Sequence, residues 1–185
     1  MAIVAQRNDT STASNAAQTH AVTLTGAALP SYDSTAATDP AVGTAIPTVS
    51  GTSLLTGAPV KVTNDGKPKV LLFVAHWCPH CQREVPLLAA DLNKTPLPAG
   101  VEMYTISTGV NASAPNYPPS RWLTGVKWPT PVLADDANST AAQSFGLSAY
   151  PYFVFVDAQN HVVARSSGEM PLAEFRSHVA ALQAE

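Results

Sequence analysis

The sequence contains few charges, only two cysteines and no long apolar run, and each shortage excludes a class of protein. Charged residues make up 12% of the 185 positions and the net charge is −3, which gives no indication of a nucleic-acid partner or an anionic membrane surface. The apolar runs are shorter than the roughly 20 residues that a membrane-spanning helix needs. The chain is long enough to bury one core, so we expect one globular domain with an appendage.

The N-terminal quarter differs in composition from the rest of the chain. It is rich in Ala, Thr, Ser, Pro and Gly, and Tyr32 is the only aromatic residue before Phe73. We predict a flexible tether over residues 1–19, an extension over 20–49 that packs on the domain edge, and a folded domain over 50–185. The first residues lack a basic segment followed by an apolar one, so either the protein is cytosolic or a targeting segment has been removed.

From about residue 50 onward, strand and helix patterns alternate. We predict a buried strand at Val70–Ala75, a helix at Pro79–Asn93 and a second central strand at Val101–Thr108. A hairpin with its turn at residues 158–160 follows, and then an amphipathic helix with Pro171 in its first turn. This order predicts an α/β fold in which a sheet is covered on both faces.

Shorter elements are predicted around these. Upstream of the first central strand, we predict another strand that is followed by a turn at Asn64–Gly66. Between the second central strand and the terminal hairpin, we expect a short helix capped by Ser120, a short strand at 130–135 and a helix ending at Gly146. We expect Trp122 and Trp128 to pack this region onto the sheet.

The two cysteines, Cys78 and Cys81, lie two positions apart between the first strand and its helix. A zinc half-site would need a second ligand cluster, which the sequence lacks. A structural disulfide across so short a loop removes little entropy from the unfolded chain. A redox pair fits the context best, because partial positive charge and free N–H groups at a helix N-terminus favour a thiolate.

The neighbouring residues support the redox interpretation. Pro79 suits a first helical turn, and the imidazolium of His80 would stabilise a thiolate on Cys78. We expect Cys78 to be the exposed nucleophile and Cys81 the resolving thiol that releases a mixed disulfide. His76 is a candidate for a second cation near the nucleophile, while an ordinary surface histidine is the alternative.

The segment "FVAHWCPHCQREVP" resembles the active-site segment of the thioredoxin superfamily. The order of residues after the second cysteine is similar to the extracytoplasmic TlpA/ResA-like branch, whereas the inner pair Pro79-His80 is similar to DsbA. The resemblance implies a thioredoxin-like fold, with a central mixed sheet flanked by helices. It also implies that Glu84 tunes the acidity of the thiols, and that Trp77 and Pro79 contact substrate.

The resemblance extends to "AYPYFVFVD", where Pro151 matches the superfamily's cis-proline opposite the thiols. The preceding residue, Tyr150, would then offer its backbone to a substrate strand, although its side chain is bulkier than the family's usual residue. Leu72 replaces the buried acid of plain thioredoxins. The TlpA-like branch also inserts a strand and a helix, which we expect residues 110–128 to form.

These features predict a thiol–disulfide oxidoreductase that acts on protein thiols with a redox partner protein, without a cofactor or metal. We expect a monomer outside the cytoplasm, periplasmic or in the cell envelope, with a membrane tether missing from this sequence; a cytoplasmic location stays open. A peroxiredoxin-like thiol peroxidase and a Sco-like copper-delivery protein are the alternatives. The first would need a Thr-x-x-Cys site, and the second would need wider cysteine spacing and a distal histidine.

Overall fold

The structure is a computed structural model, and it describes residues 17–183. It contains a five-stranded sheet of order β6-β5-β4-β7-β8 and a three-stranded sheet of order β1-β2-β3. The strands are β1 (Thr23–Thr25), β2 (Thr48–Thr52), β3 (Pro59–Val62), β4 (Lys69–Val74), β5 (Glu102–Ser107), β6 (Val132–Ala134), β7 (Tyr152–Val156) and β8 (Val162–Ser167). The helices are α1 (Pro79–Lys94), α2 (Pro119–Gly125), α3 (Thr140–Ser144) and α4 (Leu172–Ala181).

The central strand β4 is buried along its whole length, because the five-stranded sheet is covered on both faces. Strand β4 pairs in parallel with β5 and antiparallel with β7, so the sheet is mixed. Leu72 and Val74 join the core under α1, α2 and α4. Leu71 and Phe73 join the opposite core, under α3 and the three-stranded sheet. The alternation follows from the two-residue period of a strand and holds α1 directly after the end of β4.

Both edges of the five-stranded sheet are partly covered by residues from the N-terminal part of the chain. At the β8 edge, Val162 exchanges backbone hydrogen bonds with Gly43 and Thr44. At the β6 edge, Leu54 N–H donates to the carbonyl of Val132 at 2.8 Å. Such cover blocks edge-to-edge pairing with other chains.

The predicted thioredoxin-like fold with a mixed sheet and flanking helices is confirmed. The predicted strand and turn before β4 are confirmed as β3 and a bend at Asp65–Gly66, and β3 and β4 belong to different sheets. Residues 110–128 contribute a loop and α2 but no strand, and the strand next to β5 comes later, as β6. Trp128 packs this region as expected, since its Nε1 donates to Thr105 Oγ1 on β5 at 2.9 Å.

Two predicted helix starts differ from the structure. The residue before α2 is Pro118, without a side-chain cap. The Ser120 N–H donates to Gln18 Oε1 at 3.1 Å. Pro171 precedes α4 as its N-cap.

The predicted division into three segments stays a prediction. Residues 1–16 of the tether lie outside the described residues, and the boundary at residue 50 falls inside β2. Within residues 17–183, none of the helices is long and apolar enough to cross a membrane.

Candidate active site

The two cysteines lie where β4 ends and α1 begins. Cys78 is the N-cap of α1 with an extended backbone, and Pro79 occupies the first turn. The Cys78 N–H donates to the Ala75 carbonyl, and the Cys78 carbonyl accepts from Gln82 N–H, each at 3.0 Å. The first-turn N–H groups of a helix have no partner within the helix and carry its positive end. The Cys78 sulfur is therefore placed where negative charge is favoured.

Both cysteines are free thiols in the structure, and they differ in access to solvent. Cys78 is 6% exposed and Cys81 is 0% exposed. The expectation of an exposed nucleophile is thus wrong in degree, because Trp77 and Tyr150 pack against the core that contains both sulfurs. Burial raises the pKa of Cys81 far above its ordinary value, and the charges on Cys78 and Glu84 raise it further. Cys81 is accordingly a neutral thiol unless a base takes its proton.

The cis-proline loop faces the nucleophile. The Tyr150–Pro151 peptide bond is cis, as predicted. The Cys78 thiol donates to the Tyr150 carbonyl oxygen at 3.7 Å, and Pro151 accepts from Gly168 N–H at 2.8 Å. The backbone of the loop therefore lies directly against the sulfur that would react.

Trp77 and Tyr150 form an aromatic wall beside the thiols. Their rings meet edge to face at 5.8 Å, and Trp77 Nε1 donates to the Gly109 carbonyl at 2.7 Å. Gly109 has a φ of +60°, and a Cβ there would lie 2.9 Å from the Tyr150 hydroxyl. Glycine is needed at this position both for its backbone angle and for the space that Tyr150 occupies.

Glu84 lies one helical turn beyond Cys81 and is 3% exposed. Its Oε2 accepts the Met170 N–H at 2.8 Å, while its Oε1 has no hydrogen-bond partner among residues 17–183. Burial raises the pKa of Glu84 to about 7. Glu84 is therefore a buried carboxyl that changes protonation near neutral pH, with one oxygen open to a proton.

His80 is exposed and belongs to a charged cluster with Arg83 and Glu169. His80 Nδ1 lies 2.6 Å from Glu169 Oε1, and the Arg83 Nη2 lies 2.8 Å from the same ring nitrogen. A single nitrogen cannot both donate to the carboxylate and accept from the guanidinium. Donation to Glu169 is the consistent assignment, because Arg83 also binds Glu169 through Nε at 3.0 Å and through Nη2.

The cluster changes the electrostatic role expected for His80. Hydrogen bonds from Arg83 and His80 lower the pKa of Glu169 to about 2, so the carboxylate is ionised and offsets a charge on His80. The hydrogen bond to Glu169 is the main cause of the raised pKa of Arg83, and the charge of Cys78 contributes to it. Arg83 is therefore a cation near the nucleophile that was not predicted.

His76 does not provide the second cation that was expected, nor is it a surface residue. It is 1% exposed, and burial lowers its pKa. Its Nδ1 contacts the Pro115 carbonyl at 2.7 Å and its Nε2 accepts Asn111 N–H at 3.2 Å. The imidazole is therefore neutral and belongs to the packing of the loop that follows β5.

Three residues near the thiols were missed in the sequence. Arg83 could have been found, because it lies one helical turn after His80 on an exposed helix face. Glu169 and Gly109 could not, since they reach the site from β8–α4 and from the end of β5. Within residues 17–183, no group of three or more His, Cys, Asp or Glu side chains is arranged to hold a metal ion.

Comparisons with known proteins agree with this geometry. A curated relative, a thiol:disulfide interchange protein TxlA homolog of Synechocystis sp., is 26% identical over 121 residues, which are 65% of this chain and 52% of the relative. The chain thus spans about half the length of that relative. A secreted Mycobacterium tuberculosis disulfide oxidoreductase, homologous to DsbE of E. coli, is 26% identical with a TM-score of 0.59. That alignment covers 72% of this chain and 95% of the other.

A thioredoxin-family thiol:disulfide interchange protein of Chlorobium tepidum shares the fold, with a TM-score of 0.61 at 20% identity, over 75% of this chain and 95% of that one. These likenesses support the resemblance to the TlpA/ResA-like branch, and they do not favour the peroxidase or copper-delivery alternatives. The Redoxin family model matches residues 41–182, which include the cysteine pair and the cis-proline. The chain belongs to the Redoxin family.

Proposed function

We propose that this protein is a thiol–disulfide oxidoreductase in which Cys78 and Cys81 exchange electrons with protein thiols and disulfides. The observation that carries this proposal is the position of Cys78, at the N-terminus of α1 and against the Tyr150 carbonyl. A reactive thiol, a buried second thiol and a cis-proline backbone lie together. Together they suit a complete cycle of disulfide exchange with a polypeptide.

In the first step, the Cys78 thiolate attacks one sulfur of a substrate disulfide. A mixed disulfide forms between Cys78 and that sulfur, the substrate S–S bond breaks, and the second substrate sulfur leaves as a thiolate. The helix N-terminus and Arg83 stabilise the attacking thiolate. We expect Trp77, Pro79, Tyr150 and Pro151 to contact the substrate chain.

In the second step, Cys81 attacks the Cys78 sulfur of the mixed disulfide. The Cys78–Cys81 disulfide forms, and the substrate leaves as its second thiolate, so the substrate is reduced by two electrons. Cys81 must first lose its proton, which its burial opposes. Glu84 acts as the general base in this step, because its pKa of about 7 and its unpartnered oxygen allow it to take the proton of Cys81. The reverse sequence oxidises a substrate dithiol.

The charges around Cys78 suggest that the Cys78–Cys81 redox couple has an intermediate reduction potential. The helix N-terminus and Arg83 stabilise the thiolate and so make the couple more oxidising, while Glu84 opposes a second negative charge. We expect a reduction potential between that of thioredoxin, about −270 mV, and that of DsbA, about −120 mV. Equilibration in glutathione buffers measures it.

We further propose that the protein works outside the cytoplasm as a monomer, tethered to a membrane in its full-length form. The secreted M. tuberculosis oxidoreductase supports the location. Its substrates would be exported proteins with cysteines, and a separate redox protein would return the Cys78–Cys81 pair to its starting state.

Trapping of the mixed disulfide tests the proposal. The Cys81→Ser variant should accumulate a covalent adduct with a disulfide-containing protein such as insulin, because the resolving thiol is absent. The Cys78→Ser variant, as the matched control, should form no adduct. Rapid consumption of hydrogen peroxide without exchange with insulin would overturn the proposal in favour of a thiol peroxidase.

A further inference from the structure

The loop between β5 and α2 is fastened to the active-site segment through His76. The imidazole Nδ1 contacts the Pro115 carbonyl at 2.7 Å, and Nε2 accepts Asn111 N–H at 3.2 Å. The backbone carbonyl of His76 also accepts from Asn116 Nδ2 at 3.3 Å. The Tyr117 ring packs edge to face on the imidazole at 6.0 Å. His76 thus contacts both ends of the 111–117 segment, through its ring and through its backbone carbonyl.

These contacts assign one tautomer to the ring. Pro115 offers only an acceptor, so Nδ1 carries the proton, and Asn111 offers only a donor, so Nε2 is the bare nitrogen. The neighbours on the other side are neutral as well, since Gln82 of α1 donates its amide to the His76 carbonyl at 3.2 Å. Among the described groups in contact with His76, the only titratable one is the phenol of Tyr117.

The same loop begins at the aromatic wall beside the thiols. Gly109 accepts the indole N–H of Trp77, and the Tyr150 hydroxyl packs against its backbone. Trp77 directly follows His76 and precedes Cys78. Any displacement of the loop at Asn111 therefore moves the carbonyl that orients the Trp77 indole, two residues away.

We propose that His76 is a positioning residue, whose neutral imidazole latches the 109–117 loop against the active site and thereby keeps Trp77 and Tyr150 in place for a polypeptide substrate. This role rests on the proposed function of the Cys78–Cys81 pair. The hydrogen bonds of His76 within residues 17–183 go to the loop and to α1 rather than to either sulfur, so its effect passes through the loop and the aromatic wall.

Protonation of the His76 ring should open the latch. A proton on Nε2 would replace the acceptor with a donor that faces the Asn111 N–H, and that hydrogen bond would be lost. Burial already opposes the charged ring and lowers its pKa below the ordinary 6.5. The loop should therefore stay closed at neutral pH and open only as the pH falls below 6.5.

Amide hydrogen exchange at Asn111 measures the latch directly in the full chain. The protection factor, corrected for the intrinsic pH dependence of exchange, should fall by about five- to tenfold below pH 6.5, as expected for the loss of one hydrogen bond. In His76→Gln, the side-chain amide offers one donor and one acceptor without titrating, so protection should remain and become independent of pH. His76→Leu should lack protection at every pH.

The control is His161→Gln, which removes an imidazole from the turn between β7 and β8, far along the chain from the loop. It should retain the wild-type pH profile at Asn111. If the Asn111 protection factor of the wild-type protein stayed constant from neutral pH to below pH 6.5, the latch would be overturned, whatever the variants show.

Substrate kinetics test the positioning role separately. We expect His76→Leu to lower kcat/KM for a protein disulfide by about tenfold, because misplaced binding groups reduce the rate. Reaction of its Cys78 with a small aromatic disulfide should change little, and His76→Gln should restore the protein rate. Equal loss with both substrates would overturn the positioning role. A wild-type protein that shows the latch but no exchange with any protein disulfide would instead contradict the proposed function.

Discussion

Two buried ionisable side chains of this protein, Arg165 and Glu84, differ in how many hydrogen-bond and ion-pair partners surround them. The Arg165 side chain is 0% exposed and forms an ion pair with Asp39. It also donates to the carbonyls of Pro30 and Phe145 and to the Tyr152 hydroxyl. Glu84 is also deeply buried, yet among residues 17–183 it has one backbone donor and one oxygen without a partner.

The difference distinguishes a charge that holds the fold together from one that is available for chemistry. The hydrogen bond from Arg165 lowers the pKa of Asp39, so both charges persist at neutral pH and fasten the N-terminal extension to β8. Within the described part of the chain, Glu84 forms no ion pair, and burial raises its pKa to about 7. A buried group that lacks a partner keeps its ability to exchange a proton near physiological pH.

Breaking the satisfied pair should have the largest effect on stability. Arg165→Met removes the cation and leaves the Asp39 carboxylate, which is 14% exposed, without its partner. Removal of one member of a buried ion pair costs about 3–5 kcal/mol. We expect the free energy of unfolding in urea to fall by that amount.

The exposed Arg121→Met on α2 is the matched control and should leave the unfolding midpoint unchanged. The double variant Arg165→Met/Asp39→Asn should recover part of the loss, because no uncompensated charge then remains. A single variant as stable as the wild type would show that the ion pair does not hold the extension in place.

Removing the charge of Glu84 should have the opposite effect to removing that of Arg165: it should raise the free energy of unfolding at high pH. The folded-state pKa of about 7 lies above the ordinary 4.5, so the folded protein binds more protons between these values and loses stability as the pH rises through them. The loss amounts to about 3 kcal/mol above pH 7. Glu84→Gln keeps the acceptor for Met170 N–H and should abolish this decline in urea unfolding of the reduced protein.

The same variant should slow resolution of the mixed disulfide, since the proton of Cys81 then has no nearby base. A decrease of about 10²-fold is typical for the loss of a general base. Glu174→Gln, at an exposed position of α4, should change neither stability nor resolution. Normal resolution in Glu84→Gln would exclude Glu84 as the base, even if the stability prediction holds.

The exposed cluster around Glu169 should give the smallest effect. Glu169→Gln removes the carboxylate that binds Arg83 and His80, so more positive charge faces Cys78. We expect alkylation of Cys78 by iodoacetamide at mildly acid pH to become faster by at most about threefold, because salt and solvent screen exposed charges. The increase should disappear in high salt. A slower reaction would mean that Glu169 acts by orienting Arg83 rather than by offsetting its charge.

The amino-acid sequence by itself determined the elements whose cause is local. The apolar run of β4 specifies a buried strand, and Pro79 with the following helix formers specifies the start of α1, so the Cys78–Cys81 pair could be placed at a helix N-terminus. These two features depend on backbone preferences and periodicity, which a short stretch of sequence contains. The cis-proline, by contrast, was located through the resemblance of "AYPYFVFVD" to the thioredoxin superfamily.

The tertiary structure alone decided how each side chain of the site is surrounded. Glu84 meets Met170 from 86 residues away, Arg165 meets Asp39 from 126 residues away, and His76 is covered by a loop 35–40 residues downstream. Burial and the presence or absence of a partner set the charge of a group, and both depend on these distant contacts. For this reason the sequence indicated which residues could react, while only the fold decided that Glu84 titrates near pH 7 and that His76 is neutral.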